Sequence, residues 1–252
     1  MILKVSWGAA LLIIFSFYSN NVTKAHAGTS NAMSLKGGGG MVLAQDTGKQ
    51  VTGDAGGSII IIGASYAAGL KMEMLAGRPV INKGIGGEQS FETLARFDRE
   101  VIAAKPEAVV LWGFINDIFR SDREKADAAV ERIKASYKEM VDKARANGIT
   151  PIVATEVTIG PRPGVLEWFK SLLPRMLGKT SYHEYVNGHI MRANQWLKAY
   201  AQEKGVVLLD LQELLAEGGI ARKPKYSQQD GSHISDEGYR RIAEYIRANI
   251  KI

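Results

Sequence analysis

Apolar positions follow two rhythms along this chain. Short runs that are apolar at nearly every position predict strands buried on both faces. They lie at Ser58–Ile62, where Ile59, Ile60, Ile61 and Ile62 stand in succession, at Val80–Asn82, at Ala108–Trp112, within Ile149–Val157 and at Val206–Leu209. Between them, apolar residues recur every three to four positions, which predicts helices. These are Tyr66–Ala76 closed by Gly77, Phe91–Ala103 ended by Pro106, Asp122–Asn147 stopped by Gly148, and Val186–Lys204 stopped by Gly205. The third carries an inner stripe of Val130, Ile133, Tyr137, Met140, Val141 and Ala144. A last helix starts at a Ser235 cap, has Asp236 and Glu237 in its first turn, and turns Tyr239, Ile242, Ile246 and Ile250 inward. Strands alternating with helices predict an α/β fold with a five-stranded parallel sheet covered on both faces.

Two stretches stand outside this alternation. Within residues 160–185, Val165, Leu166, Phe169, Leu172, Leu173, Met176 and Leu177 recur at helical spacing, beside a basic face of Arg162, Lys170, Arg175 and Lys179. The pattern predicts a helical insertion with two possible uses: ordinary packing, or a cover over a site that could also rest on lipid or an anionic polymer. At the N-terminus, Lys4, the apolar run Val5–Tyr18 and Ala25-His26-Ala27 predict a secretory signal peptide over residues 1–27. That run is about 14 residues, short of the ~20 needed to span a bilayer as a helix. Residues 28–57, with Gly37 to Gly40 and Gly56-Gly57, read as a flexible tether before a domain at 58–252. The expected location is periplasmic or secreted.

Composition narrows the function classes. The sequence has no cysteine, which excludes disulfides and thiolate metal sites. The net charge of +6 falls to +4 once the signal peptide takes Lys4 and Lys24 with it. No concentrated basic stripe with interleaved aromatics accompanies that mild excess, so nucleic acid is not an expected partner.

The candidate chemistry sits just past the strands. Ser65 follows the isoleucine strand, where ligands of open α/β sheets gather. A serine there can cap the next helix or act as a nucleophile. A nucleophilic serine needs a base, a carboxylate to orient the base, and donors for the oxyanion. Asp230-Gly231-Ser232-His233 offers the first two: an Asp three residues before a His can reach Nδ1 and leave Nε2 free for Ser65. Gly87, in Asn82-Lys83-Gly84-Ile85-Gly86-Gly87-Glu88, can bring a backbone N–H close to a substrate. Asn116, in Gly113-Phe114-Ile115-Asn116-Asp117, can donate from its side chain, although Asn-Asp also serves ordinary turns.

Taken together these four blocks resemble the SGNH (GDSL-type) hydrolase family, which carries Ser, Gly, Asn and His in this order. The resemblance spans about residues 58–250. It implies a three-layer α/β/α flavodoxin-like fold. It also implies an oxyanion hole made of the Ser65 amide, the Gly87 amide and the Asn116 side chain. One position departs: the family's first block is usually Gly-Asp-Ser, and here it is Gly63-Ala64-Ser65. That Asp is not the triad acid.

Other constellations fail. His183 and His189 stand six apart rather than the four of a zinc helix, and Gly178-Lys179-Thr180 lacks the upstream glycine of a phosphate loop. No cofactor is implied. The expected function is an exported serine esterase acting on a small-molecule, lipid or polysaccharide acyl ester, with Ser65 as nucleophile, His233 as base and Asp230 as orienting acid. The alternatives are an O-acyltransferase on a glycan and a non-catalytic module that binds acylated glycans.

Overall fold

A computed structural model describes residues 57–160 and 181–251. The expected signal peptide, nearly all of the expected tether and most of the expected 160–185 insertion lie outside the described residues.

Six strands form one sheet: β1 (Ile59–Gly63), β2 (Met74–Leu75), β3 (Arg78–Gly84), β4 (Ala108–Trp112), β5 (Thr150–Ala154) and β6 (Val207–Leu209). Their order across the sheet is β2-β3-β1-β4-β5-β6. The five strands expected to be parallel are parallel, and β2 adds a two-residue antiparallel edge on β3. Every residue of β1 and β4 is buried, as strands covered on both faces must be.

The helices are α1 (Ser65–Gly69), α2 (Ser90–Phe97), α3 (Ile115–Phe119), α4 (Ala126–Ala146), α5 (Tyr182–Lys204), α6 (Leu211–Ala216) and α7 (Asp236–Asn249). They flank the sheet in the expected three-layer arrangement. Helix α2 packs on α4, α4 on α5, and α6 on α7. The expected inner stripe of α4 is buried throughout, and Ile242 and Ile246 of the last helix and Ile250 at its C-cap are buried as well. Ser235 caps α7 by accepting the Gly238 N–H at 3.2 Å.

The expected helix over Tyr66–Ala76 is not formed beyond Gly69. Asn82 on β3 donates from Nδ2 to the carbonyls of Ala67 (2.8 Å) and Leu70 (2.9 Å), taking the acceptors a longer helix would use. Leu70 is already extended, at φ −77° and ψ 108°. Gly77 therefore closes no helix. With Ala76 it makes the two-residue turn of the β2–β3 hairpin, both at positive φ (51° and 78°). Helices α3 and α6 are too short for a period of 3.6 to mark them in the sequence.

Candidate active site

The chain steps from β1 to β3 on one side of the sheet and to β4 on the other, so a crevice opens at the carboxyl end of β1. Two glycines bring the strand ends together there. A Cβ on Gly63 would lie 1.9 Å from the Trp112 carbonyl oxygen, and one on Gly113 would lie 2.3 Å from the Ala64 nitrogen. Ser65 is the first residue of α1, and the N-cap position belongs to Ala64, which makes no side-chain cap bond. The capping role open to Ser65 in the sequence is thus not the one it takes.

The two oxyanion candidates meet beside this turn. Gly87, at φ +81°, lies in the loop after β3, and that loop is tied to β1 by the Ile85 N–H on the Gly63 carbonyl (2.9 Å). Asn116, the second residue of α3, donates from Nδ2 to the Glu88 carbonyl at 2.9 Å. The amide nitrogen carries two hydrogens, so one remains for a ligand. Arg96 closes the same loop, donating to both carboxylate oxygens of Glu88 (2.7 and 2.6 Å) and to the Lys83 carbonyl (2.8 Å). Asp117, fully buried, accepts the Ser90 N–H at 2.7 Å and the Ser90 hydroxyl at 2.9 Å. Burial pushes its carboxyl above the usual range, against the pull of Ser90 and Arg132.

The acid and base are in contact. Asp230 Oδ2 lies 2.5 Å from His233 Nδ1, and Oδ1 accepts the N–H groups of Ser232 and His233 at 2.9 Å each. Burial pushes the Asp230 carboxyl up, but the His233 N–H, its imidazole and the Ser232 N–H outweigh it and bring the group down to about 2. Both side chains are about half exposed. Their loop is joined to the serine turn by the residues next door: the Tyr66 hydroxyl donates to the Ser232 carbonyl at 2.5 Å. Arg222, with no exposed surface, donates to the Gly231 carbonyl at 2.9 Å and to the Tyr66 hydroxyl at 3.4 Å.

Sequence reasoning missed several supports of this site: Tyr66, Arg96, Asp117, Arg222 and Glu156. Glu156 is fully buried just beyond β5 and accepts the N–H groups of Phe114 and Ile115. Burial pushes its carboxyl up to about 7, restrained by those two amides. Its place inside Ile149–Val157, the stretch expected to hold a buried strand, was the visible signal, since buried acids need a local reason. His189 packs edge-on against Tyr185, 4.8 Å between ring centres. Among the described residues, no group of three or more His, Asp or Glu could hold a metal ion.

A parallel α/β sheet with a serine turn, a glycine loop, an asparagine and an Asp–His pair at one edge defines an SGNH-type hydrolase architecture. The GDSL-like lipase/acylhydrolase family model matches residues 61–241, and the chain belongs to that family. A protein from Desulfitobacterium hafniense ascribed to the G-D-S-L lipolytic family shares the fold, at TM-score 0.58 and 23% identity, covering 77% of this chain and 99% of its own. A protein from Bacteroides fragilis ascribed to the acylhydrolases gives 0.55 and 26%, covering 76% and 85%. The acetylxylan esterase of Geobacillus stearothermophilus gives 0.56 and 18%, covering 79% and 97%. No curated protein sequence matches the chain.

Proposed function

We propose that this chain is an exported serine esterase that cleaves an acyl or acetyl ester through an acyl-enzyme. The observation that carries the reading is the Asp230–His233 contact, held to the Ser65 turn by the bond from Tyr66 to Ser232. In this mechanism Ser65 Oγ attacks the ester carbonyl and His233 Nε2 takes its proton. Ionised Asp230 keeps Nδ1 protonated and the ring in place. The Ser65 and Gly87 amides and the free N–H of Asn116 bind the oxyanion. His233 then protonates the departing alcohol, and water repeats the sequence to release the acid.

Acetylated polysaccharide is the first substrate class to test, because an acetylxylan esterase shares the fold. Export follows from the sequence of residues 1–27, and a mature chain beginning at Gly28 in the secreted or periplasmic fraction is its test. The activity test is a panel of nitrophenyl esters of rising chain length together with a fluorophosphonate probe. Wild type should hydrolyse an ester and take up the probe. Ser65→Ala should take up none and lose ~10³-fold or more in rate with its fold intact. A Ser65→Ala variant that keeps a tenth of the rate removes Ser65 from the mechanism.

A further inference from the structure

Glu156 belongs to none of the blocks that suggested the function, yet it touches one of them. Its Oε2 accepts the N–H of Phe114 and, at 3.0 Å, that of Ile115, the two residues before Asn116. Its Oε1 is buried without a hydrogen-bond partner. Its own backbone is pinned to α5, where Asn194 accepts the Glu156 N–H and donates to the Glu156 carbonyl, both at 2.8 Å. The carboxylate is therefore a fixed post, anchored on one helix and gripping the start of another.

The grip has something to hold. Helix α3 has five residues, too few to be stable alone, and its first amides have no intrahelical acceptor. Phe114 leads into it at φ −146° and ψ 5°, outside the helical region. Where the Asn116 amide points depends on that lead-in. Its neighbour Asp117 is held to Ser90 on one side, and Glu156 holds Phe114 and Ile115 on the other. Burying a carboxylate is costly unless its charge is well solvated by donors, and one of the two oxygens here is not.

We infer that Glu156 is a positioning residue for the oxyanion hole, setting the Phe114–Ile115 backbone so that the Asn116 amide meets the developing negative charge. The inference rests on the esterase reading, and it concerns a residue that touches no substrate. Displacing a catalytic group by about 1 Å can cost on the order of 10²-fold in rate, so a loosened lead-in has a kinetic signature. That signature lies in kcat, because the oxyanion exists only in the transition state.

The test compares the full chain with Glu156→Ala and Glu156→Gln. Alanine removes the acceptor, while glutamine keeps a carbonyl oxygen for both amides. For Glu156→Ala, kcat should fall roughly 30-fold with KM within about two-fold, and Glu156→Gln should recover to within about five-fold of wild type. Hydrogen exchange should quicken at the Phe114 and Ile115 amides of the alanine variant while β1 stays protected. An alanine variant within about three-fold of wild-type kcat overturns the inference. So does exchange that rises equally in β1, or a glutamine variant as slow as alanine. If wild type cleaves no ester and Ser65 takes no probe, the esterase reading fails on its own evidence. The exchange comparison then still decides whether Glu156 holds this turn.

Discussion

Single side chains at this site divide by how far away their partners lie in sequence. Asp230 and His233 meet across three positions, so their pairing was legible as a spacing. Glu156 reaches Ile115 across 41 positions and Arg222 reaches Tyr66 across 156, and no local pattern encodes either contact. Asn116 is intermediate: its motif is visible, but its bond to the Glu88 carbonyl, which leaves one N–H free, is a tertiary fact. Asn116→Ala should lower kcat by about 10²–10³ with KM nearly unchanged, measured on the best ester of the panel. A raised KM at constant kcat would make Asn116 a substrate-binding residue instead. Glu156 also predicts a pH effect on stability. Its folded-state carboxyl is raised from 4.5 to about 7, so between those values the native chain holds more proton than the unfolded one. Stability from this group therefore falls as pH rises from about 4.5 to about 7 and levels off above. The groups facing it, Asp117, Tyr66, Tyr137 and Tyr239, are all raised, the tyrosines above their ordinary 10 and so uncharged across this window. The Arg222 guanidinium stands next to Tyr66. His189 is lowered by burial, which works in the opposite sense near neutrality. The comparison that isolates Glu156 is the difference between wild type and Glu156→Gln. Wild-type melting temperature should drop relative to the variant between pH 5 and pH 8, and parallel curves would contradict the raised value.

At the scale of elements, pattern reading succeeded where an element is long or fully buried. Helix α4 carries its stripe from Val130 to Ala144, about four turns, and β1 and β4 show unbroken apolar runs. It failed at α1, because the stop signal there is not in α1: it is Asn82, on a neighbouring strand, taking the helix carbonyls. The same pair of elements sets the nucleophile's place. A Cβ on Gly84 of β3 would lie 2.2 Å from the Ala68 nitrogen of α1 and 2.6 Å from its Cα. Those are backbone atoms, which cannot swing aside as a side chain can. Gly84→Ala should therefore push α1, and Ser65 with it, away from the sheet edge. The expected cost is about 1–3 kcal/mol of stability, as for other overpacked sites, and a fall in kcat larger than for a comparably destabilised control such as Gly148→Ala, which strains a positive φ of 72° just before β5, at the opposite edge of the sheet, and costs about 1–2 kcal/mol. Melting curves beside ester kinetics make the comparison. Equal rates in the two variants would show that α1 absorbs the strain without moving Ser65.

For the molecule as a whole, the proposed nucleophile and base come from opposite ends of the described chain, and that distance is the central physical problem of the site. The Tyr66 hydroxyl meets the Ser232 carbonyl across 166 positions. Loop-closure entropy opposes any such meeting, so the sheet must bring the ends near and specific bonds must then hold them. The sheet does the first part, since β1 is central and the loop before α7 is bonded to the segment that follows β5, with the Gly160 N–H on the Gly231 carbonyl at 2.9 Å. Tyr66 and Arg222 do the second. The tyrosine ring is buried against Trp112, 6.0 Å between centres, with the Arg222 guanidinium 5.6 Å above it. Burial holds the Tyr66 pKa above its ordinary value, against the nearby Arg222, so the hydroxyl stays a donor at any pH used for assay. Tyr66→Phe keeps the ring, the packing and the cation contact, and deletes the bond to Ser232 together with the longer one the hydroxyl accepts from Arg222. The Ser232 carbonyl loses a partner, worth about 1 kcal/mol, which predicts a fall of a few degrees in melting temperature. The kinetic loss should be larger than that, about tenfold in kcat with KM unchanged, because His233 is the next residue and its reach to Ser65 is no longer fixed. Asp230 still orients the ring in this variant, so the pH dependence of kcat/KM should keep its shape while its height drops. A variant with the lowered melting point and full kcat would mean that the Asp230–His233 loop finds its place without Tyr66. The task of joining the chain's two ends would then fall to Arg222 and the Gly160–Gly231 bond alone.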